Sequence, residues 1–500
     1  MKVLLAGYNL DADLISELGK NMPDGRELTP ETVSAAYARI SRNPLPVNEL
    51  RKISRGEVAS ARQSNTRIVF DMGHSSIAEH AVFNVDALGV SRLIVEEIEK
   101  FRLCSYTEKS QRYVLLKDDF VVPEEVRAAG LQDPFVETVR EQNQFYHVLY
   151  EALRPCVFEK HPDLAADPSN RVYLENLAKE DARYVLSLAT QTQLGMTLNA
   201  RNLELMLRRF SAHPLEEARR FGSQLYAACF GTAPSLVRYT EATEFDRGTR
   251  DELKDRTREL FAKWGKKKWE EKKPRIMAKR GHVSLIWATP DADRKLVAAL
   301  LHSSSGHPMD KCIAVADLMD DREMEETIAA SLKRMQSFDA PIREFEQVGL
   351  LYELIVSASC FAQLKRHRMA TITTQEYDPA LGITIPPAIR EAGMEERFRK
   401  VLFRTEELYQ QLEREAPGAG TYVLTNAHQK RVLMKVNARE MYHVARLRLD
   451  RHAQWDIRDT VEKMVSLGRR AMPFTLMLAA GKDGFAALRK SCFEEGEPGK

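Results

Sequence analysis

The sequence predicts a mixed α+β protein made of two tandem, similar halves, and three observations lead there. Helical and strand-like apolar spacings are interleaved along the chain. An Asn-Ala-Arg triplet opens a long helical pattern twice, at Asn199-Ala200-Arg201 and at Asn437-Ala438-Arg439. A stretch of dense alternating charge lies between the two. With 500 residues, 44% of them hydrophobic, the chain has apolar material for a core in each half. The expected division is 1–245 for a first domain, 246–280 for a charged linker and 281–500 for a second domain.

Taken in order, Lys2 to Leu5 reads as a strand, and a Pro-Asp-Gly turn follows at Pro23 to Gly25. Thr29, Pro30 and Glu31 form a cap and first turn for a helix over Thr32 to Ile40. From Ile53 to Glu99 the spacing is largely helical, broken at Gly73 and again over Phe83 to Leu88, where it alternates as a strand does. Cys104 to Tyr113, CSYTEKSQRY, reads as an extended segment. A helix is expected over Glu353 to Arg368, and another from near Arg439 through Arg448, His452, Gln454, Trp455 and Arg458. The charged stretch, which includes WGKKKWEEKK at Trp264 to Lys273, reads as a solvated helix joining two domains rather than as a nucleic-acid patch.

Composition excludes several classes. Basic and acidic residues number 74 and 72, a formal net charge of +2, so no whole-chain signature of nucleic-acid or membrane binding is present and any anion site must be local. Six cysteines, Cys104, Cys156, Cys229, Cys312, Cys360 and Cys492, are widely spaced, which suggests neither a disulfide framework nor a zinc site and fits a reducing cytoplasm. Met1 to Leu10 is too short an apolar run for a signal peptide, and no stretch approaches a membrane span. GxGxxG and GxxxxGK[ST] loops are both lacking, so arginines would have to hold any phosphate.

The repetition extends upstream of the triplets. Ile98 to Arg102, IEKFR, and Leu364 to Arg368, LKRHR, each end in basic residues. Arg102 precedes Asn199 by 97 positions and Arg368 precedes Asn437 by 69, so the second copy lacks 28 residues in between.

Four clusters carry chemistry. In an extended segment Glu108, Ser110 and Arg112 project to one side, as a nucleotide site would need or as a solvent-facing strand edge would have. Gln363 and Arg366 share a helix face, with His367 and Arg368 at its end, a cationic group suited to phosphates or a reduced flavin and equally to a helix C-terminus. Arg448 and His452, four apart, present a second cationic face or a salt-bridged surface. Gly73 to His80, GHSSIAEH, groups His74, Ser76 and Glu79; its histidine spacing is not that of HExxH, and no metal site is expected.

Together these residues resemble the flavin-dependent thymidylate synthases, over most of the chain and twice. That family's hallmark is Arg-His-Arg, a Ser after two further residues, then a stretch like Asn-Glu-x-Ser-x-Arg-Tyr. Arg366-His367-Arg368 matches its start in the second half; Ser105, Glu108, Ser110, Arg112 and Tyr113 match its end in the first. The first half has Lys100, Phe101 and Arg102 at the Arg-His-Arg positions and Glu97 at the preceding Gln; the second has Thr374, Glu376 and Asp378 at the Glu, Ser and Arg positions. Arg183 resembles the family's second phosphate-binding Arg, opposite Thr421, and Arg448 the Arg that pairs with the pyrimidine, opposite Phe210. The losses are complementary.

The resemblance implies two tandem copies of a sheet flanked by long helices. It implies methylation of dUMP to dTMP with methylenetetrahydrofolate, using FAD recharged by NADPH, at composite sites formed by both halves in a cytoplasmic homodimer, a pseudo-tetramer of four domains, with no nucleic-acid or membrane partner. Substrate would be bound by Glu108, Ser110, Arg112, Arg183, Gln363 and Arg366, and Arg448 would be catalytic, stabilising uracil as its N3 becomes anionic. FAD would be held by His74, Ser76, Glu79, Glu108, Arg366, His367, Arg368, Asn437, Arg439 and His452. His443 stands where the family has Asn, and around Pro341 to Glu346 the second half keeps only Glu346 of the His74 segment. The alternative is a non-catalytic flavin- or nucleotide-binding sensor or scaffold derived from this family.

Overall fold

The computed structural model describes residues 1–11, 13–15, 28–40, 43–116, 118–264 and 282–493. The expected turn at Pro23 to Gly25 and all of Trp264 to Lys273 except Trp264 lie outside them. The described residues pack into two compact units: 1–264 with Ala388–Leu424, and 282–387 with 425–493. The units therefore do not follow the expected halves 1–245 and 281–500, because one segment of the second repeat packs in the first unit. That segment's helix, Glu395–Glu415, buries Phe398, Val401, Leu402, Leu408 and Leu412 on one stripe. It lies against the helix Gln132–Lys160, where Gln142 Nε2 donates to Thr405 Oγ1 at 2.8 Å and to Val423 O at 3.0 Å.

The first unit is built on a sheet of β1 (Lys2–Tyr8), β2 (Val82–Ser91), β3 (Ser105–Glu108) and β4 (Gln191–Asn199), antiparallel in the order β1-β2-β4-β3. The expected strands at Lys2 and Phe83 are present, and the expected helix follows Pro30 as Glu31–Arg39. The second unit repeats the sheet with β5 (Val283–Ala288), β6 (Gly349–Ser357), β7 (Thr371–Tyr377) and β8 (Gln429–Asn437) in the order β5-β6-β8-β7. Registers correspond as well: Val82 pairs Asn199 and Gly349 pairs Asn437, while Ser105 pairs Thr197 and Thr371 pairs Lys435. Strand β2 holds one extra residue at a bulge between Leu88 and Val90, occupied by Gly89 at φ 66°.

The same caps start the same helices in both units. Ser91 Oγ accepts from Ile94 N to open Arg92–Ile98, and Ser357 Oγ accepts from Cys360 N to open Ala358–Leu364. Asn199 Oδ1 accepts from Asn202 N, and Asn437 Oδ1 accepts from Glu440 N, opening Ala200–Ser211 and Ala438–Arg448. The Asn-Ala-Arg repeat is thus, first, a capping signal at the end of a central strand. A second helix follows in each copy, Glu216–Cys229 and Trp455–Ala471. In the second unit Leu350, Tyr352, Leu354 and Val356 of β6 pack with Val432, Met434 and Val436 of β8 and with Ile457, Val461 and Met464 of that helix.

Three expected elements are corrected. Glu353 to Arg368 is not one helix: Glu353 to Ser357 belong to β6, the helix is Ala358–Leu364, and Arg366 to Arg368 lie beyond it. Apolar residues on both sides of β6 satisfy helical spacing as readily as strand alternation. The extended segment ends at Glu108, and Ser110 to Arg112 form a turn in which Arg112 N donates to Ser110 Oγ at 3.1 Å. The helix from Ala438 stops at Arg448, and the next begins at Trp455. Between them Asp450 Oδ1 accepts from His452 N at 2.9 Å, a local turn that competes with helix continuation.

Candidate functional site

In the second unit the candidate residues gather where the helix Ala358–Leu364 ends beside the helix Ala438–Arg448. Arg448 Nε donates to His367 Nε2 at 2.9 Å and Arg448 Nη2 donates to Gln363 O at 2.9 Å. Gln363 Nε2 reaches the buried Gln454 Oε1 at 3.4 Å. His367 is 2% exposed, while its neighbours Arg366 and Arg368 are exposed on either side. Burial pushes the His367 imidazole below its ordinary pKa, with Glu440 opposing and Arg448 reinforcing the shift. His367 Nδ1 lies 3.6 Å from Glu440 Oε1, and His443 stands edge-on to the His367 ring at 5.8 Å between centroids.

Arg439 is held by two acceptors: its Nε donates to Pro341 O at 2.7 Å and its Nη1 pairs with Glu346 at 3.1 Å. The first unit has the same pair, Arg201 with Glu79. Glu79 and Glu346 therefore correspond, and the one-residue offset between them and the later motif is the Gly89 bulge. His452 lies beyond the end of the helix Ala438–Arg448. It sits exposed in the turn after Arg448, its Nε2 accepting from Arg451 Nε at 3.2 Å, so it shares no helix face with Arg448. Asn437 serves as the helix cap described above.

In the first unit, Glu108 at the end of β3 is paired with the buried Arg92. Arg112 pairs with Glu180, and Arg183 Nε donates to the main-chain oxygen of the same Glu180 at 3.2 Å. The two guanidiniums expected to hold phosphate thus converge on one buried residue, with Ser110 tied to the Arg112 backbone. His74 and Ser76 lie exposed around the turn Ser75–His80, apart from Glu79's contact with Arg201. Glu180, Arg92 and Glu440 were not singled out from sequence. Glu440 alone carried a local signal, an acid three residues after a capping Asn.

Positions that depart from the hallmark have other occupations. Phe101 and Phe210, matching His367 and Arg448, pack edge to face at 5.8 Å, and Phe210 also meets Phe221 at 5.4 Å. Asp378, matching Arg112, accepts from Ala380 N at 2.9 Å and caps the short turn Pro379–Leu381. Thr421, matching Arg183, lies in the turn Ala419–Tyr422.

Fold and site define an α+β protein in which one sheet-and-helix unit occurs twice, with cationic clusters following the central strands. The sequence pattern of the family described as "Thymidylate synthase complementing protein" matches residues 26–235 and 284–474. The chain belongs to that family, the flavin-dependent thymidylate synthases, and carries two of its segments in tandem. A Flavin-dependent thymidylate synthase of Clostridium tetani is 28% identical over 214 residues, 42% of this chain and 82% of that one. A UPF0159 protein of Chlamydia muridarum is 24% identical over 394 residues, 76% of this chain and 74% of its own. A crystal structure of the flavin-dependent thymidylate synthase of Helicobacter pylori complexed with FAD and dUMP aligns at a TM-score of 0.31 and 18% identity, covering 48% of this chain and 100% of that one. No helix among the described residues is long and apolar enough to cross a membrane.

Proposed function

We propose that this chain makes dTMP from dUMP and methylenetetrahydrofolate, with FAD as cofactor and NADPH as reductant, at composite sites to which each unit contributes the residues it has kept. The observation that carries this reading is the sorting of the site. One unit holds Glu108, Ser110, Arg112 and Arg183 with their partners, and the other holds Gln363, Arg366, His367, Arg368, Asn437, Arg439 and Arg448. At the matching positions Phe101, Phe210, Asp378 and Thr421 have packing, capping or turn positions instead. Random decay of a surplus copy gives no reason for the retained residues to add up to one set.

The residues fit the cofactor's chemistry. Arg366 and Arg368 are exposed cations on either side of the buried His367, a donor set suited to the anionic groups of FAD. Bound flavin would supply the redox step, as cofactors do. The chain's own work is to bind and orient: Arg112 and Arg183 hold the nucleotide phosphate, Ser110, Glu108, Gln363 and Arg366 orient the nucleotide, and Glu108 also faces the cofactor. Arg448 places a fixed positive charge where uracil N3 becomes anionic, which activates C5 without a cysteine nucleophile. His74, Ser76, Glu79 and His452 complete the flavin contacts. The sites form in a cytoplasmic homodimer, without nucleic-acid or membrane partners.

The test is dTMP formation by the purified protein with FAD, dUMP, methylenetetrahydrofolate and NADPH, beside Ser110→Ala and Arg366→Ala. Loss in each variant, with recovery when the two are mixed so that subunits exchange, is expected of sites shared between chains. Loss without recovery would place both contributions in one chain. Bound flavin without turnover in the parent protein would overturn the enzyme reading in favour of a sensor or scaffold.

A further inference from the structure

We propose that Glu440 is a positioning residue for Arg448, acting through His367, so that carboxylate, imidazole and guanidinium form a relay that fixes the direction of Arg448. This deepens the reading above and rests on Arg448 being the group that meets the substrate. The Arg448 guanidinium sets the bonding of the ring. It has donors and no acceptor, so the 2.9 Å contact from Arg448 Nε requires a lone pair on His367 Nε2. A neutral ring with Nε2 unprotonated carries its proton on Nδ1. That atom is buried without a hydrogen-bond partner, and the group it faces is the Glu440 carboxylate at 3.6 Å, itself 8% exposed. The carboxylate's charge favours the Nδ1–H tautomer. The opposite tautomer would set an N–H against the Arg448 N–H and leave an imidazole lone pair facing a carboxylate.

The same bonding decides against a metal reading of this cluster. Ligand atoms of His367, Glu440 and His443 lie within 4.8 Å of one another, close enough for a divalent cation. Yet His367 Nε2 accepts from Arg448, and His443 Nδ1 lies 3.0 Å from Arg446 Nη2, which can only donate. Each imidazole already has its lone pair engaged by a guanidinium, so a cation would have to displace both arginines.

The first unit supplies the comparison. Phe101 stands ten residues after its capping Ser as His367 does, Phe210 eleven after its capping Asn as Arg448 does, and Asn202 three after that Asn as Glu440 does. All three relay positions differ there at once, and Asn202 turns its Nδ2 to Asn199 Oδ1 at 2.8 Å. Where the arginine is absent, neither the imidazole nor the carboxylate is kept.

The experiment compares the full-length protein with Glu440→Asn, which installs the residue that the first unit carries at this helix position, and with Glu440→Gln, which keeps size and removes charge. Nitrogen NMR of ring-labelled histidine reads the His367 tautomer, assigned with His367→Phe, and the Arg448 Nε–H resonance reads its hydrogen bond. The parent is expected to hold the Nδ1–H form. Glu440→Asn is expected to shift His367 toward a mixture of tautomers and to speed exchange of the Arg448 Nε–H, with Glu440→Gln intermediate. In dTMP formation, kcat should fall about 10- to 100-fold with KM for dUMP changing less, the cost of a misdirected group. Unchanged spectra in either folded variant overturn the relay even if turnover falls. A parent that makes no dTMP overturns the function above, and the spectra still decide the relay. Stoichiometric Zn2+ retained by the parent through dialysis and lost in Glu440→Asn overturns the relay in favour of a metal site.

Discussion

Phe101 and Phe210 sit edge to face in the first unit where the second has His367 and Arg448, and the two pairs ask different things of their surroundings. The aromatic pair is satisfied by contact alone. A Phe101→Ala, Phe210→Ala double-mutant cycle should return a coupling of about 0.5–1.5 kcal/mol in urea unfolding, the range for aromatic pairs. The polar pair depends on protonation. Burial holds the His367 pKa below its ordinary value, so the unfolded chain takes up a proton first as pH falls. Stability from this residue is complete above the ordinary histidine range of about 6.5 and declines as pH drops from there toward the lowered folded value, by at most about 1.4 kcal/mol per pH unit. His367→Phe, which copies the first unit, should remove that component. Urea melts at pH 7.5 and 5.5 should therefore lose less stability in the variant than in the parent, and equal losses would mean the imidazole is charged in the folded protein.

At the scale of the element, the sequence was legible where one signal dominated. The cap at Thr29 to Glu31, the alternation over Phe83 to Leu88 and the twin Asn-Ala-Arg starts all became the elements they suggested. It was not legible where two periods fitted the same residues. Leu350 to Val356 is apolar on both strand faces, and only the pairing with β8 decides for strand over helix. Breaks made by one side-chain hydrogen bond were also hidden: Ser110 and Asp450 each turn the chain where apolar spacing would have let it run on. The caps themselves give a prediction. Asn199→Ala and Asn437→Ala should each cost about 0.5–2 kcal/mol in urea unfolding, and Asn437→Ser should restore most of the loss. If Asn437 also meets the cofactor, Asn437→Ser will regain stability without regaining FAD affinity; a cap and nothing more would regain both.

For the whole molecule, the duplication was readable from two short motifs, but the exchange of Ala388–Leu424 into the first unit was not, since nothing local marks which core a helix stripe will meet. The candidate site was readable in identity and not in partners: Arg92, Glu180 and Glu440 hold Glu108, Arg112 and His367 and come from distant segments. The duplication then sets a stoichiometry. The Arg-His-Arg group, the cation at Arg448 and its buried imidazole occur once per chain, and the equivalent place in the first unit is filled by Phe101 and Phe210. Phe210 is packed so closely that a Cβ on Gly222 would stand 2.8 Å from its own Cβ. Making room there for a second flavin would mean parting that contact and exposing two aromatic rings, at about 1.5–3 kcal/mol for each ring left uncovered. Purified protein saturated with FAD and freed of excess by gel filtration should therefore carry one FAD per 500-residue chain by absorbance. Arg366→Ala should lower that number, and Lys100→Ala should leave it unchanged. Two FAD per chain would mean that the aromatic pair opens, and the first unit would then have to be counted as a site in its own right.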